Sequence, residues 1–419
     1  MKQAVQNDTR IAGPRRITGF TKTNGNEQRF KLVRITTVPS SLAILLRNQL
    51  RFMSAHFEVI AVSSPGEELT DVGKQEGVST ASISMQRAIT PLQDLVALWK
   101  LYRLFRKEQP AIVHTHTPKA GLLGMMAAWL ARVPVRLHTV AGMPLMETTG
   151  WKRKMLEWAE RITSSCATMV YPNSKNLAFF MLKNKYCHGA KLKVLGNGSS
   201  NGIDMEYFSL SPAITAQANA LRSKWGVRHS DFVYVFVGRL VKEKGIAELV
   251  AAFMQLRKKY TGIKLLLVGP YEQQRDPLPD DVLETIRTDP HIIHTGFVKD
   301  IRPYLAMSHV LTFPSYREGF PNAPLQAGCL HIPAIVTDIN GCNEIIEHMH
   351  NGLLIPPRQM PALEYAMKKL LTDHQLYLSL RANAREAVRT RYDQRQFWNL
   401  LLDEYRLQLK NHHLVPKTV

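Results

Sequence analysis

Two cations and a carboxylate are placed where they could do chemistry. In VFVGRLVKEKG, Gly238, Arg239 and Lys244 follow a strongly apolar run and stand at the mouth of the next helix. A guanidinium with a nearby ammonium suits a diphosphate. In SYREGFPNAPLQAG, Glu318 precedes a Gly319-Phe320-Pro321 turn that opens a predicted helix, with Asn322 and Ala323 at its start and Gln326 further in. A helix start donates unpaired N–H groups and carries partial positive charge, so it suits an anion and leaves Glu318 to hold something uncharged. Each feature alone also fits an ordinary surface: a solvated Lys/Arg pair, an acid compensating a helix N-terminus, an exposed glutamine. The two elements lie about 80 residues apart at the ends of two strands of one predicted sheet, the edge where open α/β sheets bind ligands.

The elements that must position these groups are strands alternating with helices. Apolar β-branched runs predict strands at 32–36, 59–62, 111–114, 135–138 and 169–171, then at 233–237, 264–268, 292–294, 310–313 and 334–336. Runs apolar on both faces imply parallel sheets covered on two sides, and two such series predict an α/β protein of two doubly wound, Rossmann-like domains facing a cleft. The turn-rich LGNGSSNGIDMEYF, 195–208, ends the first domain. The expected organisation is a loose tail at 1–30, domains at 31–208 and 209–390, and an amphipathic helix within 391–419 that packs back on the first domain.

The chain of 419 residues, 45% hydrophobic and 21% charged, reads as globular. Its longest uncharged apolar run, 120–131, is too short to span a bilayer, and no secretory signal is recognisable. Cys166, Cys187, Cys329 and Cys342 form neither a zinc spacing nor a disulfide framework, which predicts a reducing, cytoplasmic setting. The net charge of +20 is concentrated in residues 1–200, where 28 Lys and Arg face 12 Asp and Glu. Such a field attracts anionic membrane, nucleic acid or a pyrophosphate-bearing substrate. No specific nucleic-acid motif is present, and no G-x-G-x-x-G follows either first strand, which argues against a nicotinamide dehydrogenase.

Taken in order, GRLVKEKG, LLLVGP, HTGFVKDIRPYLAMSHVLTFPSYREGFPNAPLQAG, IPAIVTDINGCNEII and NGLLIPP resemble the nucleotide-binding half of the family 4, retaining glycosyltransferases of GT-B fold. HTHTPKAGLLG, VPVRLHTVAGMP and VLGNGSSNGIDMEYF resemble their front half, particularly in bacterial enzymes that build capsule, exopolysaccharide or lipid-linked glycans. The resemblance runs from about Leu32 to Tyr392. It implies an acceptor-side first domain and a second domain that binds a nucleotide sugar, most often UDP-linked. Arg239 and Lys244 match the basic pair on the donor diphosphate, and Glu318 the first acid of the E-x7-E signature, on the donor sugar. Gly238, the backbone from Gly319 through Phe320, Pro321, Asn322 and Ala323, and Val298 beside the base complete the implied donor site.

Three departures from the family pattern stand out. Gln326 replaces the second acid, losing the charge-assisted part of a ribose hydrogen bond. Ala141, in His138-Thr139-Val140-Ala141-Gly142, replaces a histidine that touches the donor sugar. The loop containing Ser40 lacks a glycine pair. His114, His116, Lys119 and His138 lie at strand ends where they either meet a substrate or hold the fold.

The implied reaction uses no protein nucleophile and no cofactor. In the absence of an Asp-x-Asp motif it is expected to be metal-independent. The implied acceptor is a glycan or polyprenyl-pyrophosphate-linked sugar, handled at the inner face of the cytoplasmic membrane. The 95–107 helix reads better as a basic amphipathic helix packed on its own core, so the 151–156 segment and the 120–131 run are the expected docking elements. A sugar-nucleotide epimerase of the same architecture is the alternative, followed by a basic nucleic-acid-binding protein.

Overall fold

The computed structural model describes residues 20–22, 28–143, 145, 149–272 and 276–414. Among the described residues, thirteen strands form two sheets. The first contains β1 (Phe20–Lys22), β2 (Gln28–Ile35), β3 (Glu58–Ser63), β4 (Ser79–Ser82), β5 (Ile112–Thr115), β6 (Val135–Val140) and β7 (Met169–Pro172), in the order β4-β3-β2-β5-β6-β7. These six are parallel, and β1 pairs antiparallel with β2. The second contains β8 (Phe232–Val237), β9 (Ile263–Val268), β10 (Ile292–His294), β11 (Val310–Phe313), β12 (Ala334–Thr337) and β13 (Gly352–Ile355), all parallel in the order β10-β9-β8-β11-β12-β13.

Helices cover both faces of each sheet, so the central strands are buried along their length. Three strands carry no sequence signal of the kind used above. β4 is Ser-Thr-Ala-Ser on an exposed edge, β13 is only four residues long, and β1 lies in the segment expected to be loose. β2 begins at Gln28, so residues 28–30 are also sheet rather than tail. The remainder of the expected tail, 1–19 and 23–27, lies outside the described residues.

The two lobes are joined twice. The chain leaves the first near Ile203 and returns near Asp393, and the crossings bind each other through Ile203 N–H to the Tyr392 carbonyl (2.8 Å) and Gln394 N–H to the Ile203 carbonyl (3.0 Å). The returning helix Gln394–Asn411 then inserts Phe397, Trp398, Leu401, Leu402, Tyr405 and Leu409 into the core beneath β2, β3 and β5. Each large apolar side chain so buried contributes about 1.5–3 kcal/mol.

Most of the run 120–131 is core rather than open surface. Helix Pro118–Leu130 is packed between helices Pro91–Glu108 and Gly150–Cys166, and Ala120, Leu123, Met125, Ala127 and Ala128 are core residues. Its own Trp129 and Leu130 are exposed at the end of the helix, and further uncovered apolar side chains lie on its neighbours: Leu92, Leu95, Val96 and Trp99 on one, Trp151 and Trp158 on the other.

Candidate active site between the lobes

A cavity of about 600 Å³ lies between the lobes where the C-terminal edges of the two sheets face each other. Its second-lobe wall is built on the ends of β8 and β11. After β8, a short 3-10 turn, Lys242–Lys244, is closed by Gly245 at φ +70°. A side chain at 245 would strike the Pro314 carbonyl at 2.2 Å, so only glycine lets this turn lie against the end of β11. That contact brings Lys244 to Glu318: Nζ lies 2.5 Å from Oε1, with both side chains largely buried.

The remaining charges on this wall are paired among themselves. Glu243 takes Arg317 and, at 3.4 Å, Arg239, while Arg239 also pairs with Glu272. The loop after Glu318 is held by Asn340, whose Nδ2 donates to the carbonyls of Glu318 (3.0 Å) and Gly319 (2.8 Å).

The lobes touch at Gly319. A Cβ built there would sit 2.2 Å from the Ala141 carbonyl oxygen and 3.2 Å from the Gly142 Cα, so backbone meets backbone across the cleft. Beside it, Ser174 donates to Asn340 Oδ1 at 2.8 Å. Glu344 accepts from the backbone N–H groups of Lys175 (2.7 Å) and Asn176 (3.0 Å), capping the first-lobe helix Lys175–Lys183 with a second-lobe carboxylate.

This contact divides the expected donor residues. Lys244, Glu318 and Gly319 line the larger cavity. Phe320, Asn322 and Gln326 line a second one of about 230 Å³, shared with the crossing segment around Ser199–Asp204. Glu318 and Gln326 therefore line different cavities on either side of this contact. Pro321 precedes helix Asn322–Cys329, whose start no side chain caps, and Ala323 is buried. Gly238 ends β8 at φ +152°, Arg239 is turned to its acids, and Val298 is half-buried against the second-lobe core.

The first-lobe candidates separate more sharply. His138 lines the large cavity, and its Nδ1 bonds Thr115 Oγ1 at 2.8 Å. His116 is buried and takes the Arg34 guanidinium on Nε2 (3.1 and 2.8 Å). His114 is buried between Tyr405 (2.6 Å) and Thr139 (2.8 Å). Lys119 is bound to Asp94 at 2.6 Å and to the Ala88 carbonyl. Ser40 is half-buried near the start of helix Pro39–Leu45. The pattern of histidines at strand ends thus marks mainly a packed polar network beneath the site. Among the described residues no three His, Cys, Asp or Glu side chains are grouped as a metal site.

Burial holds His138 down at about 4, and burial with neighbouring cationic groups holds His114 and His116 well below 6.5. All three are neutral in the folded protein near pH 7. Below pH 6.5 the unfolded chain binds protons that the native state refuses, so stability falls as pH drops from 6.5 towards 4. Each such histidine adds a slope of about 1.4 kcal/mol per pH unit. Glu160, pushed up to about 7 by burial, offsets one of them between 4.5 and 7, because there the native state holds the extra proton. Urea unfolding at pH 7, 6 and 5 is expected to give a falling midpoint, with a shallower fall in His138→Gln; a midpoint flat with pH contradicts the buried neutral network.

Four residues of the site escape a motif reading: Glu243, Arg317, Asn340 and Glu160. Glu243 sits in plain view inside VKEKG as the counter-charge of two arginines, and Glu160 is an acid at a core-facing position of its helix, which its spacing from Leu156, Thr163 and Ser164 reveals.

Comparison with known proteins fits this geometry. Residues 12–198 match the "Glycosyl transferase 4-like domain" family and residues 217–387 the "Glycosyl transferases group 1" family. The chain is 33% identical over 383 residues, 91% of its length and 98% of the relative's, to the capsular polysaccharide biosynthesis glycosyltransferase CapM of Staphylococcus aureus. The chain belongs to the group 1, 4-like glycosyltransferases. The glycosyltransferase is also 30% identical, over 72% of its own length and 76% of the relative's, to the Escherichia coli UDP-Gal:alpha-D-GlcNAc-diphosphoundecaprenol alpha-1,3-galactosyltransferase. Its two-sheet GT-B fold superposes on Anabaena Alr3699/HepE in complex with UDP, with a TM-score of 0.75 at 18% identity, covering 90% of this chain and all of that one. These matches favour sugar transfer over epimerisation. Among the described residues of this glycosyltransferase, no helix is long and apolar enough to cross a membrane.

Proposed function

We propose that this glycosyltransferase moves a hexose or N-acetylhexosamine from UDP to a sugar on a polyprenyl diphosphate, with retention, during surface polysaccharide synthesis. The Lys244–Glu318 pair, buried beside the Gly319 loop in the interlobe cavity, carries the reading. A donor entering the opened cleft exchanges partners with these groups. Lys244 leaves Glu318, and Arg239 leaves its acids, for the diphosphate, and the freed carboxylate accepts hydrogen bonds from the sugar. Peptide N–H groups of Gly319, Phe320 and Asn322 and the uncapped helix start add to the cradle, with Gln326 on the ribose and Val298 beside the base.

As the C1–O bond breaks, its electron pair passes to the β-phosphate, where the cations stabilise the growing charge. The acceptor oxygen bonds to C1 on the same face, and its proton passes to the departing phosphate. Closure at Gly319 and Ala141 fixes the two reactants and excludes water.

The test offers UDP-glucose, UDP-galactose and UDP-N-acetylgalactosamine with polyprenyl-diphospho-N-acetylglucosamine, and measures UDP release with and without chelator. Release from one donor that depends on the acceptor and persists in chelator is the expected result. Release without acceptor, or with no donor at all, counts against the reading.

The acceptor's lipid places the enzyme at a membrane. In parallel βαβ units the helices run antiparallel to the strands, so their N-termini lie at the cleft edge. Leu92, Leu95 and Val96 occupy the first turns of helix Pro91–Glu108, Trp99 follows one turn on, and Trp151 opens helix Gly150–Cys166. All are exposed, Leu92 to 81%, with Arg87, Lys100, Arg103, Lys152 and Lys154 around them. Apolar side chains ringed by cations at the cleft mouth fit an anionic bilayer surface. The protein is expected to float with phosphatidylglycerol-containing vesicles, and Leu95→Asp with Trp99→Asp to reduce the floated fraction about tenfold. Equal flotation of the double variant would remove these helices from the proposal.

A further inference from the structure

Helix Gly150–Cys166 turns one carboxylate inwards. Glu160 is 8% exposed, lines the first-lobe wall of the interlobe cavity across from the Lys244–Glu318 pair, and leaves its Oε2 with no hydrogen-bond partner. A buried polar atom without a partner costs about 1–3 kcal/mol, and a core that tolerates that cost commonly does so for a ligand.

The rest of this wall narrows what that ligand is. Thr117, Thr139 and His138 are its polar side chains, with Pro118, Val140 and Met143 between them. No lysine or arginine lies among these residues, and His138 is neutral. The wall can grip hydroxyls and an apolar ring face; it has nothing to neutralise an anion. Among the described residues that line the cavity, the cations Lys244 and Arg317 are on the opposite side.

Building on the transfer reaction above, we propose that Glu160 binds a hydroxyl or amide of the acceptor's terminal sugar, and that this wall selects an uncharged sugar over a uronate. Burial that lifts the carboxyl to about 7 keeps a good part of it protonated near neutral pH, so it both donates and accepts. An amide at 160 offers the same pair of functions.

Three forms of the full-length enzyme test this: wild type, Glu160→Leu and Glu160→Gln. The readouts are thermal midpoint and UDP release against polyprenyl-diphospho-N-acetylglucosamine. Leucine removes an unpaired buried carboxyl, so its midpoint is expected to match or exceed wild type while its acceptor KM rises at least tenfold. Glutamine is expected to restore the acceptor KM to within about threefold of wild type. The KM for the UDP-sugar is expected to stay within twofold in both. Wild-type acceptor KM in Glu160→Leu overturns the assignment, and so does a lowered midpoint with donor and acceptor KM rising together, which marks a structural carboxylate. A wild-type enzyme that releases no UDP from any donor overturns the transfer reading itself, and the assignment with it.

Discussion

Lys244→Met is expected to lower kcat/KM for sugar transfer by about 10²–10³-fold, the usual loss when one preorganised group facing the developing charge is removed from an enclosed site. The lysine is largely buried, sits at the closed end of a turn that Gly245 alone permits, and is held on the cavity wall by its 2.5 Å contact with Glu318. Removing it also strands the Glu318 carboxylate, so part of the loss could come from a weakened fold. The double variant Lys244→Met with Glu318→Gln separates the two effects. It carries no stranded charge, so its thermal midpoint is expected to recover towards wild type while transfer stays depressed. If Lys244→Met transfers within threefold of wild type, the ammonium does not act on the diphosphate.

Gly319→Ala is expected to cost about 10²-fold in transfer with little change in thermal midpoint. The added methyl meets the Ala141 carbonyl at 2.2 Å, and neither partner can swing aside, because both are backbone. The lobes must stand apart by a fraction of an ångström to an ångström, enough to spoil alignment of acceptor oxygen and C1. Neither lobe's own core contains the contact, so each stays intact. Small-angle scattering should show a slightly expanded particle, and the loss should appear in kcat more than in donor affinity. Unaltered kcat would mean that the catalytic state is not closed at this point.

Much of this was legible in the chain. The ten apolar runs became strands, eight of them interior to the sheets, because burial on both faces demands continuous apolar sequence. What escaped was outside that rule, as with Ser79–Ser82, whose polar residues join a parallel ladder at an exposed edge where backbone pairing alone suffices.

Site residues followed the same division. Lys244, Glu318 and Gly319 sit on short, glycine-punctuated turns, where sequence and geometry are tightly linked. Gln326 lies in a separate cavity from Glu318 because the contact between them is made by Ala141 and Gly142, almost two hundred residues earlier. No local pattern contains that contact. The histidines looked available because strand ends usually face a ligand, yet the guanidinium of Arg34 and the hydroxyl of Tyr405 had already claimed His116 and His114.

The returning helix has a consequence for synthesis. The pocket beneath β2, β3 and β5 is filled by Phe397, Trp398 and Tyr405, which are synthesised only after the second lobe. Throughout translation of the second lobe the first is a half-finished body with an oily trough open to solvent, waiting for its plug. Nascent chains stalled before residue 394 should therefore be sticky and protease-sensitive in their first two hundred residues, and should depend on chaperones that shield such surfaces.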